Sequence, residues 1–342
     1  MSGSRSRRLN VGLIGLGRLG RVYARDLASR IPETKLVAVA DVSPGVAAGI
    51  GEEWDVGGAY TNASDLITNP AVDAVVVTSP THTHRDLVIA AVDAGKATFC
   101  EKPLALSLEE CRAVQDAVGR RGAFFQMGFM RRFDPGYLAG KQKVDEGVIG
   151  TPVVFKASSR DPYPPSLEYA DPASSGGILV DMGIHDFDLA RWFMGDVATV
   201  SAIGGVLAYP ELATVGDIDN AIATLIFDTG RLGVIDLSRN GCYGYDISTE
   251  LLGTEGTVRI GYLRETPILI LKKNSVVHDT VPYFMERFEK AYAAQLRNFA
   301  LNVLEEREPP VTVTDGVEAL RVALAATAAC RSGQPVVVQS VS

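Results

Sequence analysis

A short glycine pattern constrains this chain more than any other feature. Residues 15–20 read Gly15-Leu16-Gly17-Arg18-Leu19-Gly20, between the apolar run Leu9–Ile14 and a helix-like stretch at residues 19–30. This order predicts a strand, a tight turn and a helix. Gly15 allows the turn, Gly17 lets the backbone approach a pyrophosphate, and Gly20 lets the helix pack on the strand. The pattern therefore predicts a dinucleotide site, with free amides of the helix N-terminus facing the phosphates.

The residue that ends the next strand indicates which dinucleotide the site binds. Asp41 closes the β-type run 35–41, 21 residues after Gly20. An acid at this place accepts hydrogen bonds from the ribose hydroxyls and repels a 2′-phosphate. The residues that follow, Val42-Ser43-Pro44, contain no arginine that could neutralise such a phosphate. We therefore expect NAD rather than NADP.

Strands and helices alternate through the first third of the chain. A continuous apolar run at residues 73–78, a helix at 84–94, a strand at 97–100, a helix from the Ser107 cap and a strand at 123–128 follow one another. This alternation predicts an α/β fold with a doubly wound parallel sheet, a Rossmann domain at residues 1–128.

Long β-type runs then follow one another, mostly without crossover helices between them. They lie at residues 152–159, 197–206, 220–228, 231–239, 246–252, 257–262, 267–272 and 275–281. Helices are expected at 181–194, 283–306 and 315–331. Residues 129–342 are thus predicted to form a second α/β domain with a large open, mainly antiparallel sheet.

Composition excludes several classes of protein. The chain has 342 residues, 46% of them hydrophobic and 22% charged, which are ordinary values for a folded protein. Its net charge of −8 argues against nucleic acid as the main partner. No apolar run is long enough for a membrane span. The four cysteines have no metal-ligand spacing, so we expect free, buried thiols and no metal, and residues 1–8 are expected to be a tail of a cytoplasmic protein.

Three further motifs follow predicted strands or open a predicted helix. They are Thr78-Ser79-Pro80-Thr81-His82, Glu101-Lys102-Pro103 and Asp181-Met182-Gly183-Ile184-His185-Asp186. Together with the glycine turn they resemble the glucose–fructose oxidoreductase / inositol dehydrogenase / rhizopine-catabolism (Gfo/Idh/MocA) family, from Leu9 to Val338. Within this family the stretches 128–134, 160–162, 175–177, 185–188, 286–288 and 291–292 look most like inositol 2-dehydrogenases.

The resemblance implies an activity, a set of residues and an assembly. It implies oxidation of a ring hydroxyl by a nicotinamide cofactor, with Lys102, Asp181 and His185 as the catalytic set. It implies that the loops after two strands contact the cofactor, through Thr78, Ser79, Pro80, His82, Glu101 and Lys102. It also implies an open sheet whose second face is covered by other subunits, for which a homotetramer is expected.

The residue types fit this chemistry. The hydroxyl must lose a proton while its carbon loses a hydride, and histidine is a base that titrates near pH 7. Asp181 and His185 are four residues apart, so they share a face if the helix is regular there. Lys102 follows a strand end and can polarise the reacting oxygen.

Other polar residues are weaker candidates. Arg131, Asp161, Tyr243, Tyr245 and Tyr283 could bind the vicinal hydroxyls of a polyol, although each could equally be structural. His84 is expected to be structural.

The sequence therefore predicts an NAD-dependent dehydrogenase of myo-inositol, forming the 2-keto product. Two alternatives stay open: a dehydrogenase for scyllo-inositol or another polyol or aldose, and a non-catalytic NAD-binding sensor. The combination of Lys102, Asp181 and His185 argues against the sensor, which would not need all three.

Overall fold

A computed structural model of the protein describes residues 7–341. The first six residues of the expected N-terminal tail lie outside this part. The chain divides into two compact units. The first contains residues up to Met130 together with Lys290–Val317, and the second contains Arg131–Glu289 and the residues from Glu318 onwards.

Strands and α-helices are numbered separately along the chain. The strands are β1 (Leu9–Ile14), β2 (Thr34–Ala40), β3 (Gly58–Tyr60), β4 (Ala74–Val77), β5 (Ala97–Glu101), β6 (Phe125–Gly128), β7 (Pro152–Arg160), β8 (Val197–Gly205), β9 (Asn220–Phe227), β10 (Leu232–Ser238), β11 (Asp246–Gly253), β12 (Thr257–Gly261), β13 (Ile270–Lys272), β14 (Ser275–Val277) and β15 (Val336–Val337). The α-helices are α1 (Arg18–Arg25), α2 (Pro44–Glu53), α3 (Ala63–Ile67), α4 (His84–Asp93), α5 (Leu108–Arg121), α6 (Pro135–Asp145), α7 (Leu167–Ala170), α8 (Pro172–Ser175), α9 (Ile178–Asp181), α10 (Gly183–Met194), α11 (Phe284–Arg287), α12 (Glu289–Leu304) and α13 (Val313–Ser332).

A six-stranded parallel sheet forms the centre of the first unit. Its strand order is β3-β2-β1-β4-β5-β6, and every neighbouring pair runs parallel. All four residues of β4 are buried, as expected for a strand covered on both faces. The predicted doubly wound Rossmann sheet is confirmed. Its core also receives Phe299 of α12, whose ring lies 5.8 Å from that of Phe99.

A seven-stranded sheet of order β12-β11-β7-β10-β9-β8-β15 organises the second unit. The pair β7–β10 is parallel, and the other pairs are antiparallel. The prediction of a mainly antiparallel sheet is confirmed. The last two β-type runs form a separate hairpin, β13–β14, whose six residues are all exposed.

One face of this sheet is packed and the other is exposed. Ser159 of β7 points to the packed face and hydrogen-bonds Asp186 of α10 at 2.6 Å. The opposite face carries Ile222, Ile226 and Leu232, which are 45%, 47% and 54% exposed. Ile226 and Leu232 are direct cross-strand partners. An exposed apolar row on a sheet face is typical of a surface that contacts another protein.

Two expectations for the second unit need correction. The helix predicted at 181–194 is interrupted at Met182: α9 ends at Asp181 and α10 begins at Gly183. The amide of His185 donates to the carbonyl of Met182, three residues back, at 3.4 Å.

The cysteines are free, as expected, but not all of them are buried: Cys242 is exposed and Cys330 is only partly buried. Within residues 7–341, no helix is both long and apolar enough to cross a bilayer.

The glycines of the turn between β1 and α1 generate a stability prediction. A Cβ on Gly20 would lie far inside contact distance of the Gly15 carbonyl oxygen, whereas a Cβ on Gly17 would meet nothing within 4 Å. Gly20→Ala should therefore lower the free energy of unfolding by about 1–3 kcal/mol or more, because backbone must move. Gly17→Ala is the matched control and should unfold like the wild type in urea. Equal stability of the two variants would contradict this packing.

Candidate active site

The glycine turn of the first unit is built as a dinucleotide cradle. Gly15 has φ +89°, and a Cβ there would lie 2.5 Å from the amide nitrogen of Ser79. The hydroxyl of Thr78, after β4, donates to the Gly15 carbonyl at 2.6 Å. This bond ties the turn to the neighbouring strand end. The side chain of Thr78 therefore stabilises the glycine turn.

The N-terminus of α1 fits an anion. Its first turn contains no acidic residue, its N-cap is Gly17, and Gly17 and Arg18 are exposed. Backbone amides at such an end attract phosphate. Because a Cβ on Gly17 would meet no protein atom within 4 Å, the space beside it is open for a ligand. These features fit the pyrophosphate of NAD.

The carboxylate of Asp41 also stabilises the glycine turn through hydrogen bonds to backbone amides. Its Oδ2 accepts the amide of Leu16 at 2.8 Å and its Oδ1 accepts the amide of Ser43 at 2.9 Å. The side chain is half-buried at the end of β2, and Val42 beside it is 92% exposed. A carboxylate has further lone pairs for ribose hydroxyls. The sequence did not predict that Asp41 also fixes the glycine turn.

The loop after β4 separates two histidines. His82 is exposed in a short 3₁₀ turn, whereas His84 is 1% exposed. The two ring nitrogens of His84 each lie 2.8 Å from a carbonyl oxygen, Pro103 for Nδ1 and Ser79 for Nε2. Burial lowers the pKa of His84. His84 thus bridges the loops that follow β4 and β5, consistent with the structural role expected for it.

Lys102 lies directly after β5, the strand that ends at Glu101. Glu101 is 6% exposed, and its Oε2 accepts the backbone amide of Lys102 at 3.1 Å. Lys102 itself is partly exposed. The strand end therefore presents a cation while burying the acid that precedes it. The side chain of Glu101, a residue predicted to contact the cofactor, is directed into the protein interior.

Asp181 of the second unit is held by residues that the sequence analysis missed. Its Oδ1 accepts the hydroxyl of Tyr169 at 3.0 Å, and its Oδ2 lies 3.6 Å from Arg239 Nη2. The guanidinium of Arg239 also lies 3.0 Å from Asp217 Oδ2. The Asp181 carboxylate, together with burial, raises the pKa of Tyr169, which remains a proton donor. The only sequence signal was the position of Arg239, directly after β10.

His185 lies in the first turn of α10 and is 8% exposed. The next residue, Asp186, is fully buried and paired with Arg131 at 2.6 Å. Burial raises the pKa of Asp186, while the charge of Arg131 opposes this effect. Arg131 also donates to Ser159 at 3.2 Å. The geometry favours a structural role for Arg131, since both of its partners are protein groups that anchor α10 to β7.

The tyrosine candidates are placed differently from one another. Tyr245 and Tyr283 pack edge to face, with ring centroids 5.7 Å apart, and Tyr163 stacks on Tyr283 at 4.9 Å. The hydroxyl of Tyr243 instead donates to Asp246 at 2.9 Å and accepts from Arg160 at 3.2 Å. Tyr243 is therefore held by charged groups at the ends of β7 and β11. The backbone carbonyl of Asp161 accepts a hydrogen bond from the amide of Gly241 at 2.7 Å, which holds Asp161 beside the loop that contains Tyr243.

Comparison with known proteins agrees with both units. Residues 9–129 match the family model described as "Oxidoreductase family, NAD-binding Rossmann fold", and residues 141–338 match its C-terminal alpha/beta domain. A scyllo-inositol 2-dehydrogenase (NAD(+)) of Bacillus subtilis is 40% identical, over 95% of this chain and 94% of its own length. A myo-inositol 2-dehydrogenase of Thermotoga maritima is also 40% identical, over 93% and 95%.

A solved structure gives the same result. Scyllo-inositol dehydrogenase from Lactobacillus casei, with bound NAD(H) and scyllo-inositol, superposes with a TM-score of 0.92 at 32% identity, covering 97% of this chain and 100% of that one. The family models together span most of the chain, and their NAD-binding part coincides with the cradle around Gly15 and Asp41. The chain belongs to the Gfo/Idh/MocA family and is an oxidoreductase that uses NAD as its cofactor.

Proposed function

We propose that this protein oxidises the C2 hydroxyl of myo-inositol to the ketone, with NAD as the hydride acceptor. The observation that carries the proposal is the Asp181 site, where a carboxylate held by Tyr169 and Arg239 lies on the helix before the one that bears His185. The names of the relatives at 40% identity support an inositol as substrate.

The reaction requires a base, a polarising cation and an orienting group. A ring nitrogen of His185 takes the hydroxyl proton, since an imidazole in its neutral form is a proton acceptor. The Lys102 ammonium stabilises the developing negative charge on the oxygen. Asp181 orients a hydroxyl or the imidazole, with its own position fixed by Tyr169 and Arg239. Asp161 and Tyr283 remain candidates for binding the other hydroxyls.

A specific observation favours a second candidate substrate. The relative from Bacillus subtilis is named for scyllo-inositol, at the same identity as the relative named for myo-inositol. These isomers differ in the orientation of one hydroxyl group. Initial rates of NADH formation with myo-inositol, scyllo-inositol and glucose, each at several concentrations, separate the candidates. The highest kcat/KM with myo-inositol is the expected result, and a higher kcat/KM with scyllo-inositol or glucose would assign that substrate instead.

A homotetramer is the assembly we propose, and the apolar face of the large sheet supports contact between copies of the chain. Leu252, Val154, Leu232 and Ile226 form one cross-strand row on that face, and a second copy of the chain is the cover we propose for it. The next row contains charged partners, in which Glu250 bonds both Lys156 and Arg259. Apolar and paired charged rows together suit a specific protein contact.

The cofactor preference gives a direct test of Asp41. The wild type should use NAD much better than NADP, because the carboxylate repels a 2′-phosphate. Asp41→Ala should weaken NAD binding, since the ribose acceptor and the bond to the Leu16 amide are both lost, and should narrow the gap between the two cofactors. Dissociation constants from fluorescence titration check this. A wild type that prefers NADP would contradict the role of Asp41.

The base role of His185 predicts a loss in rate without a loss of cofactor. His185→Ala should lower kcat by about 100- to 10,000-fold, while NAD affinity stays near that of the wild type because the glycine turn lies in the other unit. Near wild-type turnover in His185→Ala would assign the base to another group.

The tetramer is tested by a charge on the apolar face. Leu232→Asp should shift the mass measured by light scattering from four chains towards smaller species, because desolvating a carboxylate without a partner is costly. Leu138→Asp, at a 47% exposed position on α6, is the matched control and should keep the wild-type mass. A wild type that is a stable, active monomer would refute the assembly.

A further inference from the structure

A buried carboxylate next to Lys102 has an unusual set of partners. Glu101 Oε1 accepts hydrogen bonds from the hydroxyl of Tyr23 and from Gln295 Nε2, the latter at 3.2 Å. Its Oε2 accepts the backbone amide of Lys102. Gln295 Nε2 also donates to the Tyr23 hydroxyl, so the three side chains form a closed network. Every one of these groups belongs to the first unit.

This network connects segments that are far apart in the sequence. Tyr23 lies on α1, directly behind the glycine turn, and Gln295 lies on α12; both are 0% exposed. The ring of Tyr23 packs against Phe99 at 6.1 Å and against Tyr292 at 6.0 Å. The two donors are therefore held by packing and have little freedom to follow the carboxylate if it moves.

The sheet also leaves the carboxylate no room on its other side. Glu101 of β5 pairs with Gly128 of β6. A Cβ on Gly128 would lie 2.9 Å from Glu101 Oε1 and 3.0 Å from its Cδ. Gly128 has no positive φ, so the close approach of the carboxylate, and not backbone conformation, explains why a glycine fits here.

The hydrogen-bond donors around Glu101 matter because its carboxyl group is buried. Burial raises the pKa of Glu101, while the Tyr23 hydrogen bond, the charge and amide of Lys102, and Gln295 oppose the shift. A buried carboxylate without donors would take up a proton. The donors lower the pKa that burial raises, and they hold the carboxylate in the position where its Oε2 accepts the Lys102 amide.

We propose that Tyr23 and Gln295 are positioning residues for Lys102 and act through Glu101. The network fixes the backbone from which the Lys102 side chain extends. The inference rests on the proposed role of Lys102 in the oxidation. Misplacing a group that acts on the transition state lowers kcat more than it weakens cofactor binding.

A double-mutant cycle with Lys102 tests the inference. The isosteric changes Tyr23→Phe and Gln295→Met should each lower kcat about 10-fold and leave the dissociation constant of NAD within about 2-fold. In a Lys102→Met background, Tyr23→Phe should lower kcat by less than about 2-fold, because the group that it positions is gone. Hydrogen exchange of the Lys102 amide should also become faster in Tyr23→Phe and Gln295→Met, since its acceptor is loosened.

Control variants separate this role from a general loss of packing. Tyr137→Phe removes the hydroxyl of an equally buried tyrosine, which bonds Thr249 at 3.0 Å, and should leave kcat unchanged. An equal loss from Tyr23→Phe with and without Lys102 would overturn the inference, as would wild-type kcat in both Tyr23→Phe and Gln295→Met. If Tyr23→Phe fails to fold, Gln295→Met carries the same cycle. Wild-type turnover in Lys102→Met would instead overturn the role of Lys102 in the proposed function.

Discussion

The parallel alignment of β1 to β6 is the constraint on which the rest of the first unit depends. Because all six strands run in one direction, the segments that follow them emerge at one edge. Gly15, Asp41, Thr78 and Lys102 each come directly after a strand of this sheet. Hydrogen bonds from Thr78 to Gly15 and from Leu16 to Asp41 then join three of these strand ends into one cradle.

Buried charge has a comparable role in the second unit. Arg131 pairs with Asp186, and Arg132 pairs with Asp188 at 2.5 Å, so both acids that follow His185 are held by arginines that precede β7. Removing one partner of such a pair leaves an uncompensated buried charge and is strongly destabilising. These pairs fix α10, and with it His185, against the sheet. Arg239 fixes Asp181 in the same way through Asp217.

The sequence predicted the structure best at positions where a residue type has a single physical role. The glycine turn, the Asp41 position and the hydrophobic runs predicted the Rossmann sheet, and the scarcity of crossover helices predicted the mainly antiparallel one. The break at Met182 was missed because a spacing of four residues says nothing about backbone continuity. Tyr23, Gln295 and Arg239 were missed because their roles depend on contacts between segments that are far apart in the sequence; Gln295, for example, is 194 positions from Glu101. Tyr169 was missed because no motif marks its contact with Asp181, although it is only 12 positions away. The assignments of Lys102, Asp181 and His185 to catalysis remain predictions.

The central claim is that hydride passes from an inositol carbon to NAD. Its most direct test uses myo-inositol that carries deuterium at C2, with mass spectrometry of the reduced cofactor and of the product. The account predicts a reduced cofactor one mass unit heavier than that formed from unlabelled inositol, together with a 2-ketone that has lost the label. Deuterium that appears in water, or a cofactor that stays unreduced, would contradict it.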